Sequence, residues 1–228
     1  MTKEIIKQLQ QYLEIMKQSG VDVIERIQAQ PLEEVAEGFA AQDPKEALIA
    51  LQRLVVPCVK CGELAAARKN VVFGSGNARA KLVFVGEAPG FDEDVQGLPF
   101  VGRAGQLLTK IIESINLTRQ EVFICNVLKC RPPKNRNPLP DEIANCEPYL
   151  KKQLEIIRPK VICALGTFAA QTLLKTTSSI SSLRGKFYEF QGAKLICTFH
   201  PAYLLRNPED KRKVWEDMKM IRTELAAS

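Results

Sequence analysis

The chain has 228 residues, of which 46% are hydrophobic and 25% charged, with a net charge of +6. That is an ordinary globular composition, long enough for one good-sized domain and a small extra one. It excludes a bilayer-spanning protein, because no apolar run reaches the required length. The seven cysteines are an odd number, which speaks against a disulfide framework.

The first 56 residues carry six Lys/Arg and nine Asp/Glu, a balance of −3, so the remainder carries +9. An acidic appendix on a basic body suggests that the body meets a polyanion. The amino terminus has Glu4 between Lys3 and Lys7 and no continuous apolar core, so a cytoplasmic location is expected.

In chain order, Ile5, Leu9, Leu13 and Met16 recur at helical spacing, and Ser19-Gly20 ends that run. Shorter helical patterns follow around Val23, Ile24 and Ile27, and around Leu32, Val35 and Phe39. Asp43-Pro44-Lys45-Glu46 has the form of a helix start, with Asp43 as cap and Pro44 at the first position. The helix it opens runs through Leu48, Leu51 and Leu54. Residues 1–56 are therefore expected to form a small helical unit, and 57–228 the main domain.

Beyond Cys58 the pattern alternates. Short apolar, β-branched runs at 81–85, 122–127, 161–165 and 194–199 predict four strands. Helical patterns at 105–115, 141–157 and 167–174 separate them, and a charged amphipathic helix at 210–225 packs back through Val214, Met218 and Ile221. This order predicts a three-layer α/β/α fold with a central four-stranded, mainly parallel sheet.

In such sheets ligands bind beyond the carboxyl ends of the strands. The four expected ends are Gly86-Glu87-Ala88-Pro89-Gly90, Asn126, Gly166-Thr167 and His200-Pro201, and His200 is the only histidine. A carboxylate, an amide, glycine backbone and an imidazole would thus gather on one rim.

The loop at 86–90 and the run His200-Pro201-Ala202-Tyr203-Leu204-Leu205-Arg206 resemble the two signature motifs of the family 4 uracil-DNA glycosylases. These are the iron–sulfur members of the uracil-DNA glycosylase superfamily, and the resemblance spans roughly residues 57–225. It implies a DNA repair enzyme that hydrolyses the N-glycosidic bond of deoxyuridine; no lysine stands at an evident nucleophile position, so a monofunctional enzyme without lyase activity is expected. The target base must leave the stack and enter a pocket.

Gly86, Ala88, Pro89 and Gly90 would line that pocket. Asn126 would read the base, since an amide both donates and accepts. Phe100, in Leu98-Pro99-Phe100-Val101-Gly102, stands where the family places its stacking aromatic. His200 would stabilise the departing uracil anion at O2 as a donor that need not be charged, and Glu87 would position or polarise the attacking water. A related family with a Gly-Gln-Asp-Pro motif keeps a carboxylate where Ala88 stands. A superfamily variant that traps the sugar through a second histidine is excluded by the histidine count. Leu204, Leu205 and Arg206 would form a wedge filling the gap left by the extruded base.

Cys58-Val59-Lys60-Cys61 is a Cys-x-x-Cys pair, and Cys130 and Cys146 complete a set of four. Spacing alone fits zinc, a redox pair or a cluster. The resemblance implies a structural [4Fe–4S] cluster on these four. The Pro-rich basic loop between Cys130 and Cys146, with Arg131, Lys134 and Arg136, would contact phosphates. Cys125, Cys163 and Cys197 fall in strands and are expected in the core. The expected partner is uracil-containing DNA, single- or double-stranded, met by a monomer with no membrane contact. The acidic helical unit offers a docking site for a protein partner. Two other readings remain on the residues alone: a catalytically idle nucleic-acid-binding or polymerase-associated module, and a zinc-stabilised nucleotide-binding protein.

Overall fold

The computed structural model describes residues 43–227. The helical patterns expected before residue 40 lie outside them. Helix α1 (Pro44–Val55) starts as its sequence predicts: the Asp43 side chain accepts from the Lys45 N–H at 2.8 Å, and Pro44 occupies the first turn. Its apolar stripe, Ala47, Leu48, Leu51 and Val55, is buried. The stripe packs on α5 (Pro140–Ile157), so α1 belongs to the main body. The described residues, α1 among them, fall in one compact unit.

After a short α2 (Gly62–Ala67), the sheet begins with β1 (Ser75–Gly76) and β2 (Leu82–Gly86). Helices α3 (Phe91–Gln96) and α4 (Arg103–Glu113) lead to β3 (Phe123–Asn126). A 3-10 turn (Pro133–Asn135) precedes α5, which leads to β4 (Val161–Leu165). Then come α6 (Thr167–Leu174), α7 (Ile180–Leu183), β5 (Phe187–Phe190) and β6 (Ala193–Thr198). The chain closes with α8 (Pro201–Leu204) and α9 (Lys211–Ala226).

The sheet has six strands in the order β1-β3-β2-β4-β6-β5, two more than expected. The four expected strands form its parallel centre, and the two additional ones are antiparallel edges. Both faces of the centre are covered. Leu82, Phe84, Ile124, Cys163, Leu165 and Ile196 meet Leu108 and Ile112 of α4 and Val214, Met218 and Ile221 of α9. Val83, Val85, Ile162 and Ala164 point the opposite way and are equally buried. Burial on both faces is why these strands are continuous apolar runs. Cys125, Cys163 and Cys197 are buried within them.

Among the described residues no helix is long and apolar enough to cross a membrane.

Candidate active site and cysteine site

The ends of β2 and β3 lie side by side, with Gly86 paired to Asn126. The absence of a side chain at Gly86 is a geometric requirement. A Cβ there would stand 2.3 Å from Asn126 Oδ1 and 2.7 Å from Phe100 Cζ. The amide of the one residue and the ring of the other therefore close over the same glycine. Asn126 is 2% exposed, and its Oδ1 is buried without a hydrogen-bond partner among the described residues. A buried acceptor left unpaired is costly and points to a ligand that supplies a donor.

Phe100 reaches the site through a tight turn with φ of 53°. That turn lies against Gly105 at the start of α4, where a Cβ would meet the Phe100 carbonyl oxygen at 1.9 Å. The Phe100 ring lies 5.5 Å from the His200 ring, centroid to centroid, at an interplanar angle of 33°. His200 follows β6 and caps α8: its Nδ1 accepts from the Ala202 N–H at 3.1 Å. Nδ1 is thus an acceptor, which leaves the proton of the neutral ring on Nε2. Burial, assisted by the nearby Arg206 charge, lowers the His200 pKa to about 4. At neutral pH the residue is an uncharged N–H donor. Gly166, with φ of +88°, makes room for it, since a Cβ there would meet His200 Cβ at 2.9 Å.

Gly86, Phe100, Asn126 and His200 are therefore drawn into one cluster. Glu87 follows on the same loop, its carbonyl accepting from the Leu128 N–H at 3.0 Å. Desolvation by burial raises its pKa. Among the described residues its carboxylate makes no hydrogen bond or ion pair. Ala88 is half-buried, and Pro89 is buried beside it.

The sequence reading missed the residue that holds this arrangement together. Glu93 Oε1 accepts from the Val101 and Gly102 N–H groups at 2.8 and 3.0 Å, and its Oε2 accepts from Gly90 at 3.1 Å. One carboxylate clamps the 86–90 loop to the Phe100 loop. A second missed support is Asp217, fully buried on α9. It accepts from Thr198 Oγ1 at 2.6 Å at the end of β6, and from Arg184. It thereby anchors the strand that delivers His200.

The expected DNA-contacting residues divide. Leu204 is 1% exposed and part of the apolar core, so it cannot act as a wedge; only Leu205, 42% exposed, and Arg206 stand outside. Arg136 is already engaged. It grips Glu142 with two bonds of 2.6 and 2.9 Å and Glu63 with one of 2.7 Å, tying the 3-10 turn to α5 and α2. Its guanidinium is a structural clamp rather than a free phosphate contact. Lys134 is exposed, and Arg131 is half-buried with Nε bonded to Asn135 Oδ1 at 2.7 Å.

The four cysteines of the expected set are free and partly buried. Three of their sulfurs accept hydrogen bonds. Arg68 Nη1 donates to Cys130 at 3.1 Å, the Lys129 N–H to Cys146 at 3.3 Å, and Asn145 Nδ2 to Cys61 at 3.7 Å. Arg68 also donates to the Cys58 carbonyl at 2.8 Å. Burial raises the thiol pKa values of Cys61 and Cys130, and lifts that of Cys146 to about 11. Among the described residues no three His, Cys, Asp or Glu side chains converge as for a single metal ion.

Residues 73–219 match the family described as the Uracil DNA glycosylase superfamily. Among curated proteins, the chain is 47% identical to a type-4 uracil-DNA glycosylase of Archaeoglobus fulgidus, over 77% of this chain and 92% of that one. It is 46% identical to the type-4 uracil-DNA glycosylase of Saccharolobus solfataricus, over 75% and 82%. It is 47% identical to that of Thermotoga maritima, over 74% and 90%. With the family match covering the sheet and the glycine-floored pocket, and the curated relatives covering about three quarters of the chain, the chain belongs to the uracil DNA glycosylase superfamily, among its type-4 members.

Proposed function

We propose that the protein removes uracil from DNA by hydrolysing the N-glycosidic bond of deoxyuridine, releasing the base and leaving an abasic site. The observation that carries this reading is the unpartnered Asn126 Oδ1, buried beside the Phe100 ring over a bare Gly86. Uracil supplies what that arrangement lacks: a flat ring for Phe100 to stack on and an N3–H for the amide oxygen. The bond breaks toward an oxocarbenium-like sugar with negative charge on the leaving base. His200, neutral with its proton on Nε2, donates to the developing charge on uracil O2 without having to lose a proton of its own. Fixed donors of this kind are worth more in a water-poor site than in solution. Glu87 orients the attacking water on the sugar side of the pocket. No lysine is needed as a nucleophile, and the enzyme stops at the abasic site.

Cys58, Cys61, Cys130 and Cys146 are the residues that would hold a [4Fe–4S] cluster. The donor set fits an anionic cluster: four thiols, three of them receiving N–H donors, with the cations of Arg68 and Lys129 beside them. When bound, the cluster would cross-link the connection between α1 and α2, the segment after β3 and α5, and take no part in bond cleavage. Leu205, Arg206, Arg131 and Lys134 are the side chains available to the DNA. We place the protein in the cytoplasm as a monomer, with residues 1–56 as the segment open to a protein partner.

The deciding assay uses a labelled oligonucleotide with one deoxyuridine, treated with alkali after incubation. Strand scission confined to the uracil position supports the reading. Binding without scission sinks it in favour of an idle DNA-binding module.

A further inference from the structure

We propose that Phe91, flanked by Lys69 and Arg131, is a seat for the nucleotide next to the extruded deoxyuridine. The ring stacks on that neighbour's base, and the two cations meet the adjoining phosphates. The inference rests on the uracil-DNA reading above.

Phe91 is 54% exposed, more than any other aromatic among the described residues. A single exposed apolar side chain is unremarkable. What sets this one apart is its company. Lys69 Nζ lies over the ring 5.7 Å from its centroid and Arg131 Cζ likewise at 5.1 Å, so a base that stacks on Phe91 displaces a cation toward its own phosphate. The two cations come from different chain segments. Lys69 follows α2, and Arg131 opens the loop tethered between Cys130 and Cys146. Among the described residues neither has an ion-pair partner, in contrast to the twice-paired Arg136.

The position is continuous with the base pocket. Phe91 directly follows Gly90, whose N–H is held by Glu93. Local acidic groups are turned to other uses. Glu93 serves three backbone N–H groups. Asp94 is buried and accepts from the Lys69 and Asn70 N–H groups at 2.9 and 3.2 Å. Asp92 lies against Gly102, its Oδ2 2.6 Å from where a Cβ would stand. Asn70 Nδ2 donates to the Asp94 and Val95 carbonyls, so the Lys69 segment is stitched onto α3. An aromatic face between two unpaired cations on a fixed backbone is suited to a base with phosphates on either side.

The test uses single-stranded oligonucleotides with one deoxyuridine, in which the neighbouring base on each side in turn is replaced by a tetrahydrofuran abasic analogue. In the unaltered protein, removing the neighbour base on one side should weaken binding about tenfold, the scale of one aromatic–base stack. Phe91→Ala should lose the same factor on the complete oligonucleotide, and the analogue should then cost nothing more. Phe91→Trp should restore tight binding. Inhibition by free uracil should be the same in all three proteins. Lys69→Gln and Arg131→Gln should each lower the slope of log affinity against log salt by about 0.7. The proposal is overturned if Phe91→Ala binds as tightly as the unaltered protein, or if the analogue costs both proteins equally. Failure of the unaltered protein to release uracil overturns the parent reading instead.

Discussion

Lys129 Nζ donates to the backbone carbonyl of Asn126 at 2.7 Å, from a side chain that is itself buried. Its second bond, 2.6 Å to Gln153 Oε1, fixes it to α5, and Gln153 in turn donates to the Phe73 carbonyl at 2.8 Å. The same residue's N–H donates to the Cys146 sulfur. One lysine therefore touches both Asn126, the residue proposed to read the base, and the cysteine site. Lys129→Met keeps the length and removes the ammonium. Inhibition by free uracil should weaken about tenfold, the scale of one charge-assisted hydrogen bond. Iron content and product inhibition, measured together, check this. Weakened folding with unchanged uracil affinity would reduce the link to packing.

Gly86→Ala should disable the pocket while sparing the fold. The new methyl stands within 2.3 Å of Asn126 Oδ1, and β2 cannot retreat because β3 and β4 are paired to its two sides. Overpacking of this kind costs about 1–3 kcal/mol of stability. The larger effect should fall on kcat/KM, reduced at least about a hundredfold because the amide must swing away from the base. Circular dichroism beside uracil-release kinetics separates the two.

The depressed pKa of His200 makes a pH prediction with a definite sign. The folded value is about 4, against an ordinary 6.5, so the unfolded chain binds the extra proton first. Stability is full above pH 6.5 and is lost as pH falls toward 4, by about 3 kcal/mol for this residue alone. His200→Gln should flatten that part of the melting-temperature profile between pH 7 and 4.5. Activity should show no inflection near pH 6.5, because the ring is already neutral there. His200→Ala should lower kcat about 10²- to 10³-fold, as loss of one fixed donor to a developing anion does.

Arg136 and Lys134 sit two residues apart and should respond in opposite ways. Arg136→Gln removes a clamp on Glu142, which is 3% exposed, and should lower the melting temperature with little change in the salt dependence of DNA binding. Lys134→Gln should leave stability alone and reduce the salt slope on duplex DNA by about one. Thermal melts and titrations at several salt concentrations distinguish them.

What could be read from the sequence follows from burial. Strands β2 and β4 are buried on both faces and are uninterrupted apolar runs; β3 is apolar up to Asn126, and β6 is apolar between the exposed Lys194 and the buried Thr198. The edges are less visible. Strand β1 is two residues long and contains Gly76 at φ of 128°. Strand β5 is only partly buried, and its hairpin turns through Gln191 and Gly192 at φ of 50° and 79°. Gly86, Phe100, Asn126 and His200 were recognisable because they stand in motifs or at strand ends. Asp217 and Arg68 act through neighbours distant in sequence, and nothing local marks them; Glu93 stands at the capping-box position of α3, but its reach to Val101 and Gly102 shows only in the fold. Leu204 and Arg136 misled for the same reason. A leucine after a motif and an arginine in a basic loop look exposed until the partners that bury or pair them are seen.

Three N–H groups from two loops hang from the two oxygens of Glu93. The gap between the glycine floor and the stacking ring is thus a length dictated by one side chain. Shortening or lengthening that chain would resize the cavity while every residue facing the base stayed the same. Which bases this protein accepts is therefore open to change by heredity or design at a position that no inventory of base contacts would name.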